Sequence, residues 1–170
     1  LLMKAAAENG SDVPYLTFYG GSKGAVSSLG EGGVGLLYQV TEGITNLDAD
    51  DEQYALIEEY KERFPAYDYY YHRAFNAMDM FVKAAEEAGS VDPIPVAKAM
   101  EGLTIDHAYG QATMRAEDHQ MQQPLFISTV SDDVKYGVDN IELGWALVEG
   151  GTIDMASAEQ PTTCEMERPE

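Results

Sequence analysis

Residues 13–41 read VPYLTFYGGSKGAVSSLGEGGVGLLYQVT, and this stretch decides the fold. Val13 to Tyr19 is aromatic and β-branched, the composition of a strand, and Gly20-Gly21-Ser22 stops it. Ala25 to Leu29 has room for one or two helical turns, and Gly30 to Gly35 is a glycine-rich turn. Leu36 to Thr41 is strand-like again. Upstream, Leu2 to Glu8 reads as helix and stops at Asn9-Gly10. The order is α-β-α-β, which favours an α/β fold with a parallel sheet.

Downstream the period lengthens. Asp51 and Glu52 suit a helix N-terminus, Leu56, Ile57, Tyr60 and Phe64 recur at helical spacing, and Pro65 ends the run. Phe75, Met78, Phe81, Val82 and Ala85 form one apolar stripe that stops at Ala88-Gly89-Ser90. Asp92-Pro93 opens a further helix, with Ile94, Ala97 and Met100 on its inner face and Gly102 at its close. Gln111 to Arg115 and Leu125 to Val130 then alternate at period two, with a polar turn between them, and Ile141 to Val148 is strand-like around Trp145. The tail from Ser157 is rich in Pro, Thr and Glu and is expected on the surface.

The chain has 170 residues, 45% of them hydrophobic, enough for a core of its own. No apolar run reaches the ~18 residues of a membrane span. Thirty Asp and Glu against ten Lys and Arg give a net charge of −20. That balance excludes nucleic acid as a partner and leaves contact with a membrane peripheral at most. It fits a well-solvated surface, adaptation to high salt, or a cationic solute. Cys164 stands alone, so it has no internal disulfide partner.

The constellations that carry chemistry are few. His72, His107 and His119 are not at metal-ligand spacing, so no metal site is expected. Asp118-His119 is adjacent on an extended segment, which points the two side chains apart. Gly20-Gly21-Ser22-Lys23-Gly24 follows a strand and precedes a short helix, but no Ser or Thr follows the Lys, so it is not a nucleotide loop. At the carboxyl end of a strand it suits a solute-contacting loop. Gly30 to Gly35 precedes a strand, the reverse of a dinucleotide fingerprint. Tyr67, Tyr69, Tyr70, Tyr71, His72 and Arg73 form a polar aromatic cluster, on a strand or at a helix entry, that offers flat faces, hydroxyls and a carboxylate fork. No catalytic residue and no cofactor is expected.

The order of these elements resembles the C-terminal half of periplasmic solute-binding proteins of the branched-chain amino acid ABC transporter type. The resemblance is carried by Leu2 to Glu8, Val13 to Tyr19, Gly35-Leu36-Leu37, the helix from Phe75 through Ser90, Val96 to Gly102, Gly110 to Arg115 and Asp118-His119-Gln120. It implies a type I periplasmic-binding fold: two Rossmann-like lobes joined by crossing segments, with the solute in the cleft between them. On that map residues 1–44 end the second lobe, 45–117 belong to the first, and 118–170 cross and return to the second. Asp118-His119-Gln120 would then be hinge. The resemblance implies a non-enzymatic, extracytoplasmic component of an importer, periplasmic or lipid-anchored. Its partners would be a small solute, an ABC permease and an upstream half of the same protein, whose absence would leave helix faces and sheet edges uncovered. It places Tyr19 and Ser22 in the site from one lobe, and Tyr71, His72 and Arg73 from the other. Amino-acid binders of the family carry a carboxylate for the ligand ammonium where this chain has Tyr19, which opens the choice between an amino acid and a related polar or aromatic solute. A ligand-sensing domain of the same fold in a receptor or regulator, and an α/β enzyme, are the alternative readings.

Overall fold

Tyr15–Thr17 (β1) and Leu37–Thr41 (β2) pair in parallel, Tyr15 against Leu37 and Thr17 against Gln39, as a strand-helix-strand unit requires. The computed structural model describes residues 2–18, 20, 23–47, 51–69, 72–107 and 109–169. The chain divides into two compact units, Leu1–Tyr70 with Phe126–Thr152, and Tyr71–Leu125 with Ile153–Glu170. These divisions do not coincide with the lobe borders expected above. One reason is local: helix α3 (Asp51–Arg63) buries Ile57 against Tyr69 and Tyr136, which holds it in the first unit.

The first unit contains Leu2–Glu8 (α1), Ala25–Leu29 (α2) and a four-stranded sheet. Its strand order is β1-β2-β6-β7, where β6 is Leu125–Ser131 and β7 is Gly144–Ile153. β2 and β6 run antiparallel, so the sheet is mixed rather than purely parallel. Alternation puts Leu37, Gln39 and Thr41 of β2, and Phe126, Ser128 and Val130 of β6, on one buried face. Val26 of α2 and Trp145 of β7 join Leu37, Val130, Val138 and Leu143 in the core of that face, with Met3 and Leu29 packed on it. Each fully buried aliphatic side chain of this kind contributes roughly 1.5–3 kcal/mol.

One side chain, Asn46, pins the long connection from β6 to β7 at Tyr136 and at the entry to β7. Asn46 Nδ2 donates to the carbonyls of Tyr136 (2.9 Å) and Trp145 (3.0 Å), and its Oδ1 accepts from the Tyr136 amide (2.8 Å). The connection then turns at Val138–Ile141. Asp139 (φ 54) and Asn140 (φ 61) are both left-handed, and the Ile141 amide donates to the Val138 carbonyl at 3.0 Å. Asp and Asn are the non-glycine residues that adopt this geometry most readily.

The second unit is built on an antiparallel meander, Thr104–His107 (β3), Gly110–Met114 (β4) and Met121–Gln122 (β5). Helices α4 (His72–Ala88) and α5 (Pro93–Met100) pack with it. The core joins Met80 and Ala84 of α4, Val96 of α5, and Leu103, Ile105, Ala112 and Met114. Pro93 occupies the first helical position, as expected, but the Asp92 carboxylate makes no capping bond. Gly102, at φ 77, supplies the left-handed residue that ends the helix.

One expectation is corrected here, the inner face of α5. The two alternating runs within Thr113 to Ser128 enter different sheets: β4 pairs with β3 and β5, and β6 pairs with β2. The inner face of α4 is Asn76, Met80 and Ala84, whereas Phe75, Met78, Phe81 and Val82 are 40–59% exposed. The helix therefore carries two apolar faces, and this chain covers one of them. On α5 the buried residue is Val96, and Ile94 is exposed.

Candidate functional site

Open α/β sheets place ligands beyond the carboxyl ends of their parallel strands. In the first unit that end of β1 leads into the Gly20–Gly24 loop. A β-carbon at position 20 would collide with the Thr17 methyl group and lie 3.4 Å from Trp145 Cη2 and 3.6 Å from Leu37 Cδ1, so only glycine lets the loop lie this close to the sheet. Gly24, at φ 85, then turns the chain into α2.

Three segments meet around this loop. Lys23 Nζ donates to the Ala66 carbonyl at 3.2 Å and lies 5.1 Å from the centre of the Tyr67 ring. Asp139 reaches back from the turn after β6: both carboxylate oxygens accept from the Gly24 amide at 2.8 Å, and Oδ2 accepts from Ser27 Oγ at 3.0 Å. The Asp139 amide in turn donates to Asp68 Oδ2 at 2.9 Å. Asp139 thus does for α2 what a local N-cap would do, since Gly24 has no side chain for the task. The rim formed by residues 23–27, 66–68 and 139 carries two carboxylates, one ammonium and an exposed tyrosine face. Exchanging Asp139 for alanine is expected to speed hydrogen exchange at the Gly24 and Ser27 amides, with asparagine recovering part of the protection, as read by NMR.

Of the residues expected in the site, Tyr19, Ser22 and Tyr71 lie outside the described residues, as does the side chain of His72, the first residue of α4. Arg73 is exposed on the first turn of α4 in the second unit. The aromatic cluster is divided: Tyr67 is exposed beside Lys23, and Tyr69 is buried against Ile57, with its ring 5.2 Å from Tyr60. Sequence reasoning missed Asp68 and Asp139. Val138-Asp139-Asn140-Ile141 is a legible turn, but nothing local reveals a carboxylate that caps a helix 115 residues away.

The second unit holds a polar cluster of a different kind. Arg115 grips Asp118 with two bonds, Nε to Oδ1 at 2.9 Å and Nη2 to Oδ2 at 2.5 Å, and both side chains are more than nine-tenths buried. The guanidinium holds the Asp118 carboxyl well below the usual carboxylate range. Asp118 also accepts from the Gln120 amide, and Arg115 Nη1 donates to the Gln160 carbonyl. Asp118-His119-Gln120 is therefore a turn inside the second unit, and the border between the units falls after Leu125. Nearby, Arg168 Nε donates to Glu101 at 2.6 Å, which lowers the Glu101 pKa, and His119 Nε2 stands 3.5 Å from the same carboxylate. A groove of about 160 Å³ between α5 and the tail is lined by Ile94, Lys98, Glu101, His119 and Met166. Its polar groups are mostly engaged with one another, which suits a strap more than a binding site. Among the described residues no group of three His, Cys, Asp or Glu side chains is placed to hold a metal ion.

A family model described as periplasmic binding protein matches residues 1–135. The Leu/Ile/Val-binding protein homolog 4 of Brucella abortus (strain 2308) is 26% identical over 99% of this chain and 41% of its own length. Among solved structures, the leucine-, isoleucine-, valine-, threonine- and alanine-binding protein from Brucella ovis, in a closed conformation, superposes with a TM-score of 0.86 at 26% identity, over 99% of this chain and 44% of that one. A solute-binding protein of an ABC transporter from Rhodopseudomonas palustris HaA2, in complex with p-hydroxybenzoic acid, shares the fold with a TM-score of 0.65 at 17% identity, over 90% of this chain and 40% of that one. The chain spans less than half the length of these relatives.

Proposed function

Because the chain belongs to the periplasmic binding protein family, we propose that it forms part of an extracytoplasmic solute receptor that hands a small molecule to an ABC permease. The observation that carries this reading is the rim at the carboxyl end of β1. There the Gly24 amide is held by Asp139, whose own amide is held by Asp68, and Lys23 reaches across to the Ala66 carbonyl. Tyr19 and Ser22, which adjoin this rim in sequence, are the contributors proposed from the first unit. Tyr71, His72 and Arg73 are the contributors proposed from the second unit. Nothing in this arrangement calls for a cofactor, and the reading is one of binding without turnover.

The relatives frame two solute classes. The Brucella ovis protein is a binder of aliphatic amino acids and threonine, and the Rhodopseudomonas palustris protein was solved with a hydroxybenzoic acid. Tyr19, at the position aligned with an ammonium-reading carboxylate, leaves both open to this chain. The exposed stripe of Phe75, Met78, Phe81 and Val82 supports a further reading, that the rest of the protein packs on α4. Among the described residues no helix is long and apolar enough to cross a membrane.

The test is a thermal-shift panel on the full-length protein, with L-leucine, L-threonine, L-phenylalanine, benzoate and p-hydroxybenzoate. A solute at 100 times its dissociation constant stabilises by about 2.7 kcal/mol, a shift of several degrees. One class is expected to move the midpoint, and Tyr19→Glu is expected to favour the amino acids over the acids. Failure of every compound, repeated with an extract of small metabolites, would refute the binding role.

A further inference from the structure

Residues 159–169 form neither helix nor strand, yet they are fastened to the second unit at well-separated points. Near their start the Gln160 carbonyl accepts from Arg115 Nη1 at 2.5 Å, and Pro161 and Thr162 line a groove of about 380 Å³ with Arg115 and Glu117. Further on, Met166 lines the smaller groove with Ile94 and Ala97 of α5. At the far end the Arg168 guanidinium spans two segments: Nε donates to Glu101, just after α5, and Nη2 donates to the Ala116 carbonyl. Two of these bonds fall on one turn. It is closed by the His119 amide, which donates to the Arg115 carbonyl at 2.9 Å, and by the paired bonds of Arg115 to Asp118.

The place of that turn in the chain gives the contact its consequence. The chain passes between its two units at 70–71, 125–126 and 152–153. The turn at 115–119 stands shortly before the second passage, and residues 159–169 come soon after the third. Bonds between them therefore close a bridge, on the second unit, between two passages. The bridge is held by a small margin. Ordering an extended segment loses backbone entropy at every residue. Bonds that stay open to water return little of it, and the side chains of Arg168 and Glu101 are 42% and 27% exposed. Such a segment detaches while the cores beneath it stay folded.

We propose that residues 159–169 are a detachable strap, which ties the second and third passages together on the second unit and restrains movement of one unit against the other. The Brucella ovis relative was solved in a closed conformation, a state that is reached by movement of this kind. The consequence for a captured solute rests on the receptor reading, whereas the restraint itself needs no solute.

The test is made on the full-length protein without solute, so its failure is distinct from failure of the thermal-shift panel. Cys164 is replaced by serine, and spin labels are placed on Glu149→Cys in the first unit and Lys83→Cys in the second, both exposed positions. Replacing 159–169 by a flexible Gly/Ser segment of equal length is expected to widen the distance distribution between the labels. Amide exchange at 115–120 is expected to quicken about tenfold in the same variant. Arg168→Ser, which loses one end of the strap, is expected to give smaller changes of the same sign. A distribution as narrow as the wild type's in the Gly/Ser variant would overturn the restraint. Strap amides that exchange as slowly as those of β4 in the wild type would overturn detachment. Should the Gly/Ser variant fail to fold, Arg168→Ser and the wild-type exchange rates decide the question.

Discussion

Replacing Asn46 by alanine is expected to lower the unfolding free energy by about 3 kcal/mol, from three hydrogen bonds at roughly 1 kcal/mol each. The bonds are unusually concentrated: one amide side chain serves the Tyr136 amide, the Tyr136 carbonyl and the Trp145 carbonyl. Alanine removes all three and leaves those backbone groups to find water. The surroundings allow little compensation, because Gly144 lies against the same amide. A β-carbon there would sit 3.3 Å from Asn46 Nδ2 and would strike the Tyr136 carbonyl. Aspartate keeps the acceptor and loses both donors, so Asn46→Asp should be nearly as damaging. Chemical denaturation of wild type and both variants gives the answer. A loss below about 1 kcal/mol would show that the connection between β6 and β7 is held by packing instead.

Exchange of Arg115 for methionine is expected to have the second large effect, with a signature in pH. The guanidinium is shared among Asp118, Gln120 and the Gln160 carbonyl, so its removal strands a carboxylate at a site where little water reaches. The tail loses a tether at Gln160 and keeps the one at Arg168, whose guanidinium also donates to the Ala116 carbonyl. The thermal midpoint should fall, and amide exchange after Ala158 should quicken. The sign of the pH dependence follows from the direction of the shift. Asp118 has a lower pKa folded than unfolded, so its contribution is complete above the ordinary carboxylate value of about 4 and is lost as pH falls below it. Asp118→Asn should flatten the part of the stability profile between pH 4.5 and about 2.5 that belongs to this group. Profiles of wild type and variant that run parallel there would exclude the pair as a source of acid sensitivity.

The parts of the fold that could be read from sequence are those with strong punctuation. β1, α2 and β2 lie between Pro14, the Gly20-Gly21 pair, Gly30 and Gly35, and each formed close to where the pattern put it. α5 was legible from Pro93 and Gly102. β3 was not, because Thr104-Ile105-Asp106-His107 has one apolar residue and takes its strand character from pairing with β4. β5 is two residues long and carries no periodicity at all. The stripe on α4 is legible as apolar, but periodicity reports that a face is apolar without saying what covers it. The rim around the Gly20–Gly24 loop was half legible. The loop is local, and its glycines announce it. Asp139 and Asp68 reach it through tertiary structure alone, and no spacing encodes that.

The mixed sheet of the first unit sets the order in which the chain can fold. β1 and β2 meet across a short local connection, but Thr41 and Phe126 are neighbours only after all of 71–125 has been looped out. Closing that loop loses chain entropy before any β2–β6 pairing returns it. The loop is not slack, however: it contains α4, α5 and the β3–β4 hairpin, whose contacts are local. Local contacts form fast and distant ones slowly. The looped-out segment can therefore condense first and shorten the path between the two strands. In that sequence of events the last step is the annealing of β6 along β2, which brings Ser128 opposite Gln39.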